Sequence, residues 1–238
     1  MKKVFVTTEN TQQFDEICSE LQAPDLVGPS LALVTGRAGR GKSEAAKHYA
    51  INSNAVYILM LQDTTPVMAL RNIAFELSAI KPRTTDACVE IIGAEMQKER
   101  RLILADEADL VPLKTLEMLR GINERCGCPI LFLGEDDLMA RVASRRRIVS
   151  RIRRRMGFGP VSQTDLILFC SESLGVKITP SVAGILHRYS KGDWRPAVTA
   201  AAAIWRAIQA SGIDEVTEEL IREIVKNEEA KNRARLPD

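Results

Sequence analysis

A chain of 238 residues can form one large or two small domains with a substantial core, and 45% hydrophobic residues is ordinary for a globular protein. The formal net charge of only +2 means that global charge does not dictate a nucleic-acid partner, so any basic surface must be local. Five cysteines at irregular spacing argue against a disulfide framework and for a reducing cytosol, and no apolar run reads as a signal peptide or a bilayer span.

The first residues contain a β-prone piece, Val4-Phe5-Val6. Thr7, Thr8 and Asn10 are cap candidates for a helix through Phe14, Ile17 and Leu21, which Pro24 and Gly28-Pro29 end. Leu31-Ala32-Leu33-Val34 then has strand character and leads into Gly36-Arg37-Ala38-Gly39-Arg40-Gly41-Lys42-Ser43, which reads G-x-x-x-x-G-K-S. Helix formers from Glu44 to His48 follow. A strand, this loop and a helix are the context of a phosphate-binding loop. Glycines let backbone N–H groups turn inward around phosphates, and the helix N-terminus adds partial positive charge. Lys42 is expected to reach the β- and γ-phosphates of ATP, and the Ser43 hydroxyl to ligate Mg²⁺. Residues 36–44 are the expected nucleotide contacts.

Val56–Met60 is a second apolar strand. Pro66–Ile80 reads as a helix with Met68, Ile73 and Leu77 on one stripe, and Asp86–Lys98 as another with Val89, Ile92 and Met96 inward. Such alternation implies a parallel sheet with helices on both faces. Leu102-Ile103-Leu104-Ala105-Asp106-Glu107 is an apolar strand that ends in two carboxylates. A buried parallel strand delivers its C-terminal end to the nucleotide crevice. There Asp106 is expected to hold Mg²⁺ and Glu107 to polarise the attacking water. Pro112 starts a helix through Leu116, Leu119 and Ile122, and Pro129–Gly134 is the next strand. Glu135 leaves it at the position where related ATPases usually carry a polar γ-phosphate sensor, so an acidic residue there is a departure. Cys126-Gly127-Cys128 hints at metal, but with no second Cys/His pair nearby it reads as small residues before a strand.

Asp136–Arg155 is the most basic stretch, with eight arginines, and Leu138, Val142, Val149, Ile152 and Met156 make it begin as an amphipathic helix. A solvated face, an arginine finger for a neighbouring subunit and a phosphate-contacting DNA surface all fit it. Gly157–Pro160 is a natural boundary, dividing a domain over 1–158 from one over 159–238. Beyond it the strand pattern stops. Ser162 with Asp165 makes a capping box for a helix through Leu166, Phe169 and Leu174. Thr179-Pro180 opens the next helix, Gly192-Asp193-Trp194-Arg195-Pro196 a long Ala-rich one to about Ala210, and Thr217 a last one through Leu220, Ile224 and Val225. From Asn227 onward the polar end is expected to fray.

Together these motifs resemble an AAA+ ATPase: an α/β P-loop domain, its parallel sheet flanked by helices, followed by a small all-helical lid. Gly192-Asp193-Trp194-Arg195 resembles the G-x-x-R of sensor 2, which implies that Arg195 reaches the nucleotide from the lid. Ser150-Arg151-Ile152 and Phe158-Gly159-Pro160 resemble the S-R-F…F-x-P boundary of origin-recognition-type members, which implies that Arg151 is the finger. The size, the short opening segment and Leu133-Gly134-Glu135-Asp136-Asp137-Leu138 look most like the phage Mu transposition B family. That family carries a further N-terminal DNA-binding domain for which this chain has no room, so DNA binding is expected of the ATPase core.

The resemblance implies ATP-dependent, largely sequence-independent binding of double-stranded DNA and self-association into an oligomer or helical filament. It also implies stimulation of a transposase and delivery of target DNA to it in the bacterial cytoplasm, with no membrane partner. Arg145, Arg146 and Arg147 are the candidate DNA contacts. An initiator- or loader-type ATPase, a small-molecule P-loop kinase and a non-hydrolysing switch are the competing readings.

Overall fold

The computed structural model describes residues 1–212 and 215–235. The chain divides into two compact units. One comprises Glu9–Arg37 and Gly41–Phe158, and the other Met1–Thr8, Ala38–Arg40 and Gly159–Asp238.

The first unit is built on five parallel strands in the order β2-β3-β4-β1-β5. These are β1 (Leu31–Thr35), β2 (Val56–Leu59), β3 (Ile103–Asp106), β4 (Ile130–Gly134) and β5 (Ile152–Gly157). Its helices are α1 (Glu9–Gln22), α2 (Lys42–Ser53), α3 (Pro66–Ser78), α4 (Thr85–Lys98), α5 (Leu113–Cys126), α6 (Asp137–Ala143) and the single turn α7 (Arg146–Val149). The central strands are apolar up to their last residues because both of their faces are covered. Leu31, Leu33, Ile103, Ala105, Ile130 and Phe132 join one core cluster with residues of α3, α4 and α5. Their alternates Ala32, Val34, Leu104, Leu131 and Leu133 are equally buried, as are Phe14, Cys18 and Leu21 of α1 and Ala45 and Ala46 of α2. Helix starts follow local chemistry: the Thr65 and Thr84 hydroxyls accept from the backbone N–H groups of Met68 and Ala87.

Several expectations are corrected. Of the expected α3 stripe, Ile73 is buried and Leu77 packs on the core, but Met68 is 43% exposed, and Ala69, Leu70 and Ala74 are the other buried residues. The 136–155 stretch does begin as an amphipathic helix, α6 burying Leu138 and Val142, but the spacing of Val149, Ile152 and Met156 does not continue it: the chain breaks into α7 and then forms the edge strand β5. The β5 register against β1 slips between Leu31, opposite Ile152, and Ala32, opposite Arg154. Arg153 is therefore the extra residue of a β-bulge. Arg153 and Arg154 both pair with Glu20 of α1, at 2.6 and 2.7 Å.

The second unit contains α8 (Gln163–Leu174), α9 (Pro180–Ser190), α10 (Trp194–Ser211) and α11 (Glu218–Arg235). The Ser162/Asp165 capping box forms, and Thr179 and Thr217 cap α9 and α11. Val4-Phe5-Val6 forms no strand; Val6 is buried among the helices, and Lys2 exchanges hydrogen bonds with Ser173. The chain does not fray at Asn227, because α11 continues to Arg235, with Glu228 buried and paired to Lys231 at 2.7 Å. Residues 236–238, also part of that expectation, lie outside the described residues.

Candidate functional site

Parallel strands all point their C-terminal ends one way, and the chain emerging from β1, β3 and β4 carries Lys42, Glu107, Asp109 and Glu135. After β1, Gly36, Gly39 and Gly41 all have positive φ, at 154°, 80° and 100°. A Cβ on Gly36 would lie 2.8 Å from the Phe158 carbonyl oxygen, so both conformation and space demand glycine there. Lys42 opens α2 and is only 8% exposed. Its ammonium donates to the carbonyls of Gly36 and Arg37, two acceptors of its own loop. Burial pushes the Lys42 pKa down, opposed by the carboxylates of Glu135, Asp106, Glu107 and Asp109. Ser43 is half-buried and Glu44 exposed, paired with Lys47 at 3.5 Å.

Asp106 ends β3 and is 2% exposed. Its Oδ1 accepts the Glu107 backbone N–H at 3.0 Å, and its Oδ2 accepts the Tyr57 hydroxyl at 2.7 Å. Glu107 sits at φ 58°, in the left-handed region that non-glycine residues rarely adopt. Burial drives its carboxyl pKa up, and the like charges of Asp106 and Asp109 add to this, while Lys42 opposes it. Asp109 Oδ1 accepts the Glu135 backbone N–H at 3.0 Å, tying the turn after β3 to the end of β4. Ser43 and Asp106 are hard oxygen donors, the type Mg²⁺ prefers. Among the described residues no group of three or more His, Cys, Asp or Glu could hold a metal by itself.

The structure thus brings Lys42, Asp106 and Glu107 together with Asp109 and Glu135. Tyr57 and Asp109 were missed from sequence: both act through neighbours on other strands, and no motif marks them. Arg151 stands apart, in the turn between α7 and β5. Its Nε binds Glu124 Oε1 at 2.6 Å, and the side chain is 49% exposed. Arg145, Arg146 and Arg147 are exposed, and Arg145 lies 3.5 Å from Glu117.

In the second unit the loop tip Ala38–Arg40 packs on the start of α10. Gly39 O accepts the Trp194 N–H at 2.9 Å, and a Cβ on Gly39 would overlap the Asp193 carboxylate. The Arg40 guanidinium donates to the carbonyls of Lys191, at 3.1 Å, and Gly192. Asp193 caps α10 by accepting the Arg195 N–H at 2.8 Å, and the Arg195 side chain is exposed.

Residues 26–142 match the family described as AAA domain. With the strand order, this match defines the class of fold: residues 26–142 carry an AAA domain within a P-loop, AAA+-type α/β fold.

Its sequence is similar to that of the ATP-dependent target DNA activator B of Escherichia phage Mu, 26% identical over 165 residues that cover 66% of this chain and 53% of that protein. The chain spans about half the length of the curated relatives it matches. Two solved structures share the fold. They are Cdc6p from Pyrobaculum aerophilum (TM-score 0.69, 15% identity, 95% of this chain and 69% of that one) and the Aeropyrum pernix ORC1 protein, solved in complex with DNA (0.65, 17%, 95% and 66%). Among the described residues no helix is long and apolar enough to cross a membrane.

Proposed function

We propose that this chain is an ATP-dependent DNA-binding ATPase of DNA transposition, acting in the bacterial cytoplasm. It assembles on double-stranded target DNA as an oligomer or filament, stimulates a transposase and delivers the DNA to it. The observation that carries the ATPase part is the convergence of buried Lys42, buried Asp106 and the carboxyl of Glu107 at one end of the sheet. The likeness to the Mu target DNA activator supports the rest.

Each residue then has a task. The backbone of residues 36–44 surrounds the phosphates of ATP, and Lys42 exchanges its own loop's carbonyls for the β- and γ-phosphate oxygens. Ser43 and Asp106 hold Mg²⁺, which when bound neutralises charge on the phosphates. Glu107 takes a proton from water as the water oxygen bonds to the γ-phosphorus. The bond from that phosphorus to its bridging oxygen breaks, and ADP and phosphate leave. Arg151 acts in trans on the neighbouring subunit's nucleotide once it leaves Glu124, and Arg195 serves from the helical unit. Arg145, Arg146 and Arg147 contact DNA phosphates without reading bases.

ATP turnover with and without unrelated duplex DNA tests this reading. Stimulation by any duplex, with binding that falls steeply as salt rises, is expected. A phosphorylated small-molecule product would identify a kinase instead, and the absence of turnover a nucleotide-dependent switch.

A further inference from the structure

Tyr57 has no assigned task, yet it makes the shortest side-chain hydrogen bond to Asp106. It lies on β2, which pairs in parallel with β3 so that Leu59 stands opposite Asp106 and Tyr57 opposite Leu104. Tyr57 is thus the diagonal neighbour of Asp106 on the same side of the strand pair, within reach of a phenol. Its hydroxyl donates to Asp106 Oδ2 at 2.7 Å, while the Glu107 N–H occupies Oδ1 at 3.0 Å. An ionised carboxylate offers about four lone-pair sites. These two bonds fix the carboxylate at both oxygens and leave each oxygen further acceptor capacity. From α2, the Lys47 ammonium sits 5.8 Å from the centre of the Tyr57 ring.

We infer that Tyr57 is a positioning residue for the divalent cation that accompanies the nucleotide: its hydroxyl holds Asp106 in the one orientation from which the free lone pairs meet the cation. This rests on the ATPase reading above. Groups that orient a metal ligand typically cost about 10–100-fold in metal affinity when lost. Tyr57→Phe removes one oxygen and keeps the ring.

The test uses Mn²⁺ as the cation, its binding to the protein–ATP complex followed by electron paramagnetic resonance. Binding of a fluorescent ATP analogue in EDTA and circular-dichroism melting are measured alongside. Tyr57→Phe should weaken Mn²⁺ by about tenfold or more, with cation-free nucleotide binding within about twofold of the parent protein. Asp106→Asn should weaken Mn²⁺ at least as much, and adding Tyr57→Phe to it should cost nothing further, because the hydroxyl acts only through that carboxylate. Parental Mn²⁺ affinity in Tyr57→Phe, with or without a lowered melting temperature, overturns the inference and leaves the ATPase reading standing. So do losses that add in the double variant. Parental affinity in Asp106→Asn overturns both.

Discussion

Gly134 ends β4, and no positive φ explains why it is glycine; the space around it does. A Cβ there would lie 2.5 Å from Asp109 Oδ1, 2.7 Å from Leu138 Cδ2 and 3.1 Å from the Asp109 backbone nitrogen. Neither side chain can step aside freely. Asp109 is held by its hydrogen bond to the Glu135 N–H, and Leu138 is fully buried. Gly134→Ala must therefore break that bond and crowd the core. Losing a bond to a charged acceptor at a solvent-facing site costs about 1.5 kcal/mol, and overpacking a full core about as much again. The expected loss of about 3 kcal/mol lowers the melting temperature by about 6–12 °C for a chain of this size. Thermal melting of Gly134→Ala, Asp109→Ala and the double variant forms a cycle that isolates the contact. If the clash with Asp109 is the mechanism, Gly134→Ala should cost only about half as much in the Asp109→Ala background. Strictly additive losses would refute it.

Glu107→Gln should bind ATP as the parent does in calorimetry and lose turnover by about 10²-fold or more, the scale of a general base; parental turnover would move that role to Glu135. A base works deprotonated, and burial with two like-charged neighbours raises the Glu107 pKa. The acid limb of kcat/KM should therefore fall above the ordinary glutamate value of about 4.3. Asp109→Asn removes one like charge and should move the limb to lower pH, and an unmoved limb excludes Asp109 as a cause. Arg151→Ala should retain ATP binding and lose turnover together with ATP-dependent assembly. Mixing it with Glu107→Gln should restore some activity, because some mixed interfaces unite an intact glutamate with an intact arginine; co-assembled mixtures without recovery rule out action in trans.

What the sequence revealed and concealed follows from how far apart the cooperating residues lie along the chain. The phosphate loop is legible because its task needs contiguous glycines and a lysine at fixed spacing, and Asp106-Glu107 because an apolar strand ends on them. The capping box of Ser162 and Asp165 is equally local. Tyr57 and Asp109 were hidden because their partners are set by which strand lies beside which. Nothing within residues 56–60 announces that they run alongside residues 103–106. The β5 strand was hidden for another reason. Ile152 and Met156 flank three arginines at a spacing that also suits a helix, and only pairing with β1 decides between the two. Val6 was misread because a short apolar run has no period, so burial among helices and membership of a sheet look alike.

The bulge at Arg153 has a consequence for the protein in concentrated solution. An outermost strand offers a row of unpaired N–H and C=O groups on which a second chain can crystallise its own strand, and growth by that route is open-ended. On β5 the extra residue interrupts the regular spacing that an incoming strand would need. Arg153 and Arg154 are drawn back to Glu20, and Arg153 also reaches the Val27 carbonyl at 3.1 Å, so α1 and the segment that follows it are stitched to this border of the sheet. Exposed Arg155 adds a charge that any copy of the same strand would have to meet with its own. The arginines of this strand thus also defend the fold against itself.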